Sequence, residues 1–213
     1  MARRGRGGAR EREGRGRRMR LLLAQEAGRI MAEEGVEDYQ RAKLKAAQRL
    51  GVPQTRHLPR NEEIEQARRE HQRLFRAASQ PGRLRALREA ALEAMAFLAA
   101  FRPRLVGPVL RGTADRHTEV TLHLFAGAAE EVAVHLMDHG IPYEALDRRV
   151  EMPDGREMRL PAFRLEREGV PFLLLVFPPE GLRAAPRSAL DGRPMERASA
   201  ARLRALLEED GEP

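Results

Sequence analysis

The chain has 213 residues, 42% of them hydrophobic, enough for one sizeable core with appendages, whereas two full domains would be cramped. It contains no cysteine, which excludes disulfides, thiolate metal sites, zinc fingers and cysteine nucleophiles and fits a reducing cytosol. The formal charge of +7 sits at one end: residues 1–20 hold nine arginines against two glutamates, and everything after Arg20 sums to neutral.

The first segment, MARRGRGGAREREGRGRR, has almost no apolar side chains, and its glycines raise the entropic cost of ordering it, so residues 1–20 are expected to be a disordered tail. Arginine and glycine together suit salt-sensitive, sequence-blind contacts with RNA or DNA. A solubilising tail, or an upstream start codon lengthening a shorter protein, accounts for the same composition. No secretory apolar core is present, since RLLLAQEAGRIMAEE turns polar after three leucines.

Residues 21–82 read as a helical region. The first helix places Leu22, Ala27, Ile30 and Met31 near one face and stops at Gly35. The second carries Tyr39, Ala42, Leu44, Ala46 and Leu50 and closes at Gly51. Asn61 is expected to cap a third helix whose Glu62 and Glu63 favour the positive end of its dipole and whose buried stripe is Ile64, Ala67, His71, Leu74, Phe75 and Ala78. The stretch AAQRLGVPQTRHL is similar to the first half of a helix-turn-helix, but Pro53 and Pro59 interrupt the helix that would read the major groove. Arg41, Lys43, Lys45 and Arg49 form a basic face that could touch phosphate or simply be solvated. A fourth helix, after Gln80-Pro81-Gly82, spaces Leu84, Leu87, Ala91, Ala94, Met95, Leu98 and Phe101 at helical period until Pro103 stops it.

After Pro103 the period changes. RLVGPVL and EVTLHLFA read as strands and AAEEVAVHLMDHG as a short helix ended by Gly140. YEALDRRVEM and REMRLPAFRLER read as strands joined at Pro153-Asp154-Gly155. VPFLLLVF, continuously apolar, is expected to be a central strand covered on both faces, while Pro161 suits an edge or a bulge. The longest apolar run, starting at Val170, falls short of the roughly 18–20 residues a membrane helix needs, so the protein reads as soluble, cytoplasmic and without a membrane partner. The tail from 183 to 213 is a loop that wraps the sheet or covers an edge, followed by a helix with Ala201, Leu203, Leu206 and Leu207.

The segment LVGPVLRGTADRHTEVTLHLF carries the chemistry-bearing residues. Its order and spacing, over roughly Leu84 to Pro178, resemble the minimal nucleotidyltransferase domain of the DNA polymerase β superfamily. Gly107-Pro108 stands where that family has a Gly-Ser turn. Thr118 stands at a serine, Glu119 at the first of two aspartates, Thr121 at the second, and Leu173 or Leu174 at a third carboxylate. The resemblance implies a nucleotidyltransferase-like core over residues 83–182, and a site where magnesium ions would act in pairs if the protein is active. A threonine and a leucine are poor replacements for carboxylates, because magnesium prefers hard oxygen ligands. The two-metal reaction is therefore expected to be disabled.

Other readings of the same residues stay open. His117, Glu119 and His123 could form a single-metal site. Glu119 with Asp115 shifted in, beside Thr121, could sustain catalysis by an active nucleotidyltransferase that moves a nucleoside monophosphate to a small molecule or protein. Gly107, Arg111, Gly112 and Thr113 could cradle a nucleotide or other phosphate without metal. The stretch could also be a polar sheet face beside a loop. His135 and His139 lie four apart on a helix but lack the glutamate of a zincin pair. No P-loop, dinucleotide-binding glycine motif or nucleophile elbow is present, and Ser79, Ser188 and Ser199 sit in loops or beside helix starts.

The expectation is thus an α+β (α/β) protein: a helical N-terminal region, then a small mixed sheet packed with helices. Its leading function is a catalytically degenerate nucleotidyltransferase-like module binding a nucleotide, RNA or protein partner. The alternatives are the active transferase and a nucleic-acid accessory protein acting through its basic tail.

Overall fold

The computed structural model describes residues 5–52, 58–75 and 80–209. It is α+β, with N-terminal helices followed by a five-stranded mixed sheet. Two compact units divide the chain: residues 1–77 with 189–191, and residues 78–188 with 192–213. No helix among the described residues is long and apolar enough to cross a membrane.

The first unit contains α1 (Gly5–Glu34), α2 (Tyr39–Arg49) and α3 (Asn61–Phe75). The expected disorder before Arg20 gives way to helix from Gly5 onward. Once the packed stretch from Leu23 to Ala32 has nucleated a helix, each added N-terminal residue gains a hydrogen bond without a new nucleus. Arginine, a good helix former, sustains the extension despite the glycines. α1 stops where Gly35 takes φ +67°, and α2 is followed by Gly51 at φ +64°.

The buried stripes differ from expectation at their edges. Leu22, Leu44, Leu50 and Leu74 are exposed, while Leu23, Ala27, Ile30 and Met31 of α1 pack on Tyr39, Ala42, Ala46, Ala47 and Ile64. α3 presents a largely polar face inward: Glu65, Arg68 and Gln72 are buried with Ile64 and Ala67, and the Tyr39 hydroxyl donates to Glu65 Oε2 at 2.9 Å. A buried carboxylate needs such a donor, so Leu74 yields the inner face to a hydrogen-bonded set. His71 reaches Glu33 at 3.2 Å, and Ala78 lies outside the described residues. Asn61 does not cap α3 through its own side chain, which donates to the Ala189 carbonyl; Glu63 instead accepts from the Arg60 N–H at 2.6 Å.

The second unit holds α4 (Gln80–Phe97), β1 (Arg104–Val106), α5 (Gly107–Arg111), β2 (Val120–Phe125) and α6 (Ala129–Asp138). β3 (Glu144–Glu151), β4 (Glu157–Arg167), β5 (Val170–Phe177) and α7 (Ala200–Glu209) follow. The strand order is β1-β2-β5-β4-β3, with β2 and β5 parallel and every other pair antiparallel. RLVGPVL is not one strand: it leaves the sheet at Gly107, where φ is +76° and Pro108 opens the single-turn helix α5.

β5 is the middle strand, which explains its unbroken apolar run. Phe172, Leu174 and Val176 face a core built with Leu87, Ala91 and Met95 of α4, Leu98 just after it, Val132 and Leu136 of α6 and Leu203 of α7. Leu173, Leu175 and Phe177 face the other way and join Phe125, Leu160 and Ala162 in a smaller cluster. Pro161 pairs with Asp147 of β3, one residue outside the β4–β5 register that begins at Ala162, so its missing N–H breaks no ladder there. The tail covers an edge as expected: Leu105 and Ala198 exchange both backbone hydrogen bonds at 2.9 Å along the outer side of β1.

Two helix backbones come close together in the helical unit at Gly28. A Cβ there would lie 2.7 Å from Arg68 N and 3.0 Å from the Ile64 oxygen. Both are backbone atoms, so the helices must separate to admit it. Gly28→Ala is expected to destabilise the unit by about 1–3 kcal/mol despite alanine's better helix propensity, measured as a lowered midpoint in urea denaturation.

Candidate functional site

The alternation of β2 puts Glu119, Thr121 and His123 on one face of the sheet. Cross-strand pairing then fixes their neighbours. Val106, Thr121, Leu173, Arg164 and Glu144 form one row across all five strands, and Arg104, His123, Leu175, Ala162 and Leu146 form the next. This is the face opposite the α4–α6–α7 core.

Glu119 stands just before β2, two residues from Thr121, and its side chain is 19% exposed. Arg164 Nε donates to Glu119 Oε1 at 2.8 Å, and Arg164 Nη1 lies 3.5 Å from Glu144 Oε2. One guanidinium therefore bridges the carboxylate of Glu119, just ahead of β2, and that of Glu144 on β3. No carboxylate stands at either of the two positions flanking Glu119 in the resemblance, Thr121 and Leu173.

Asp115 does not act beside Glu119. It is buried in the loop after α5, where its Oδ1 accepts from the His117 N–H at 2.9 Å and from the Thr118 hydroxyl at 3.1 Å, while its own N–H donates to Thr118 Oγ1 at 2.8 Å. This local Asx-type closure shapes the loop. Arg83 of α4 clamps it from outside by donating to the carbonyls of Asp115 and Arg116.

The glycine turn is used internally. The N–H groups of both Gly112 and Thr113 donate to the Pro108 carbonyl, and buried Arg88 donates to the carbonyls of Val109 and Leu110. Thr113 is buried and Arg111 half-buried. The amides that a phosphate cradle would need are thus committed to the turn, leaving Gly107 with open space around it.

His123 belongs to a different construction. It is 1% exposed, stacks on Phe177 at 4.6 Å, and its Nδ1 accepts from Arg197 Nε at 3.0 Å. Burial, and then the Arg197 charge, hold its pKa down to about 3, so the ring is neutral. Arg197 lies over the rings of Phe125 and Phe177, at 5.1 and 4.8 Å, and donates to the Gly181 carbonyl at 2.6 Å. Burial, and then Arg104, lower its own pKa to about 10.

His117, Glu119 and His123 therefore do not converge on a common point. His117 Nε2 takes a hydrogen bond from Arg116, Glu119 from Arg164, and His123 from Arg197. Among the described residues no group of three or more His, Asp or Glu side chains could hold a metal ion. The donor set does not fit the magnesium pair that the resemblance implies. His135 and His139 stack with Phe97, and His135 Nε2 lies 3.3 Å from its carbonyl.

The basic face of α2 is largely committed. Lys43 is buried, with its pKa lowered by desolvation; Lys45 pairs with Glu34, and Arg49 with Glu26 and Glu34. Residues 53–57, including Pro53 of the helix-turn-helix-like stretch, lie outside the described residues.

Arg164 and Arg197 escaped the sequence reading. Arg164 left one signal, a charge in strand alternation between Phe163 and Leu165; Arg197 lies in a loop and left none. No family model, no curated protein and no solved structure matches the chain.

The neutral, buried His123 makes stability pH-dependent. Its folded pKa lies below the unfolded value of about 6.5, so the unfolded chain binds the extra proton between those values. The contribution is complete above pH 6.5 and is lost on acidification towards about 3, with a slope of at most about 1.4 kcal/mol per pH unit. Thermal melts across this window are expected to show a steeper acid loss in the wild type than in His123→Gln.

Proposed function

We propose that residues 83–182 are a nucleotidyltransferase-like domain that has lost two-metal catalysis and serves as a binding module for a nucleotide, RNA or protein partner. The observation that carries this reading is the row Thr121–Leu173–Arg164: a hydroxyl, an isobutyl group and a guanidinium occupy the face beside Glu119. A two-metal transfer needs several anionic oxygens at that place, and here Glu119, like Glu144 of β3, is already engaged by Arg164. The turn at Gly107, the loop closed by Asp115 and Thr118, and the parallel β2–β5 pair agree with the outline of such a domain. An active transferase relying on Glu119 and Asp115 is disfavoured, since Asp115 is consumed in its own loop.

The deciding assay supplies labelled nucleoside triphosphates with magnesium or manganese to the wild type and to Glu119→Ala. No Glu119-dependent turnover is expected; incorporation that disappears in Glu119→Ala sinks the reading.

A second activity is supported by α1. Arg15, Arg17 and Arg18 are exposed on a continuous helix and form no ion pair among the described residues. Such a helix offers phosphate contacts to a nucleic acid. Removing residues 2–18 is expected to weaken RNA binding and flatten its dependence on salt concentration; an unchanged salt slope excludes this role for α1.

A further inference from the structure

We infer that Arg164 is the resident cation of the candidate site: its guanidinium occupies the space between Glu119 and Glu144, and the face works without a divalent metal because of it. The inference rests on the reading of this face as the functional one, but it concerns what neutralises the face rather than whether turnover occurs.

Three observations support it. First, the guanidinium engages one carboxylate at the start of β2 and one on β3, strands that are not neighbours, at 2.8 Å to Glu119 and 3.5 Å to Glu144. β2 and β3 are separated in the sheet by β5 and β4, so only a group reaching along the row can join them. Second, the register holds Arg164 there. It pairs with Leu173 on one side and Glu144 on the other, and a shift of one residue would turn it into the core that Phe163 and Leu165 occupy. Third, Leu173 stands between Thr121 and Arg164 in the row and offers no oxygen, so a metal ion at this place would depend on the same carboxylates that Arg164 already holds. A guanidinium tolerates such an apolar neighbour because it is more weakly hydrated than a compact ion and binds carboxylate through directed N–H donors. Magnesium dehydrates reluctantly and demands oxygens around it, so beside that leucine it competes poorly for the two carboxylates while the guanidinium is present. Arg164 itself is 39% exposed, which leaves it accessible to a ligand while it holds the two acids.

The test is Mn2+ binding followed by electron paramagnetic resonance on the full chain, in the wild type, Arg164→Gln, Arg164→Lys and Arg164→Gln/Glu119→Gln. The wild type is expected to show no Glu119-dependent site. Arg164→Gln should bind one Mn2+ about tenfold more tightly or better than the wild type, because two carboxylates then lack their counter-ion. Arg164→Lys keeps the charge and should stay metal-blind, and the double variant should lose the gain. The wild type provides a control independent of any variant's folding: added Mn2+ should leave the Arg164 Nε–H resonance unbroadened. Glu119-dependent Mn2+ binding by the wild type, broadening of that resonance, or a folded Arg164→Gln that gains nothing would each overturn the inference. These outcomes are separable from the turnover assay. An Arg164→Gln protein that gains no metal leaves the loss of catalysis standing, whereas Glu119-dependent nucleotide transfer refutes the catalytic loss whatever the metal titration shows.

Discussion

The parallel pairing of β2 with β5 is the constraint on which the second unit depends. It sets Val120 beside Phe172 and Thr121 beside Leu173, so a single register assigns one set of side chains to the helical core and the other to the candidate site. A slip of one residue would exchange the sets, driving Thr121 and His123 into the helical core and removing Leu122 and Leu124 from it. The large core against α4, α6 and α7 therefore fixes the site face indirectly. Every completely buried leucine of β2 holds Thr121 and His123 to the opposite side.

That opposite face is two-sided in character. At its Glu119 end it is governed by charge, with Arg164 between an acid just ahead of β2 and one on β3. Towards Phe125 and Phe177 it is governed by packing, and the cation there, Arg197, has aromatic faces, a neutral imidazole and a backbone carbonyl as partners. Removing a guanidinium from water is unfavourable, which is why its pKa falls. The gain is placement: Arg197 joins the turn at Gly181 to His123 in the middle of the sheet. The two arginines thus hold opposite ends of one surface by different means. At the Glu119 end, Arg164 and Glu119 are partly exposed charges that can meet a ligand.

Much of this was legible in the sequence because it depends on local patterns. The helical period through Leu87, Ala91, Met95 and Leu98, the hairpin at Pro153-Asp154-Gly155 and the continuous apolar run of β5 each announce their element, and the structure follows them. Gly107 was legible as a turn but not as the start of α5, since a glycine between apolar residues suits either. The candidate acids were legible one by one; their partners were not. Asp115 and Glu119 are four residues apart yet bond to unrelated groups, one to its own loop and the other to a residue 45 positions away. Cross-strand register determines such partnerships, and no local pattern encodes register between strands as distant as β2 and β4.

The helical unit shows the same limit from another side. Helical period alone assigned Leu74 to the interior of α3, yet the inward positions hold Glu65, Arg68 and Gln72. A polar inner face is tolerable only when its groups find partners, and the Tyr39 hydroxyl on α2 supplies one for Glu65. The close approach of α1 and α3 at Gly28 brings the backbone of one helix against the other. Long polar side chains can run along such a crossing and bury their stems, and Arg68, whose backbone N–H faces Gly28, is buried there beside the fully buried Ile64. The glycine at 28 is what lets the two backbones come this close.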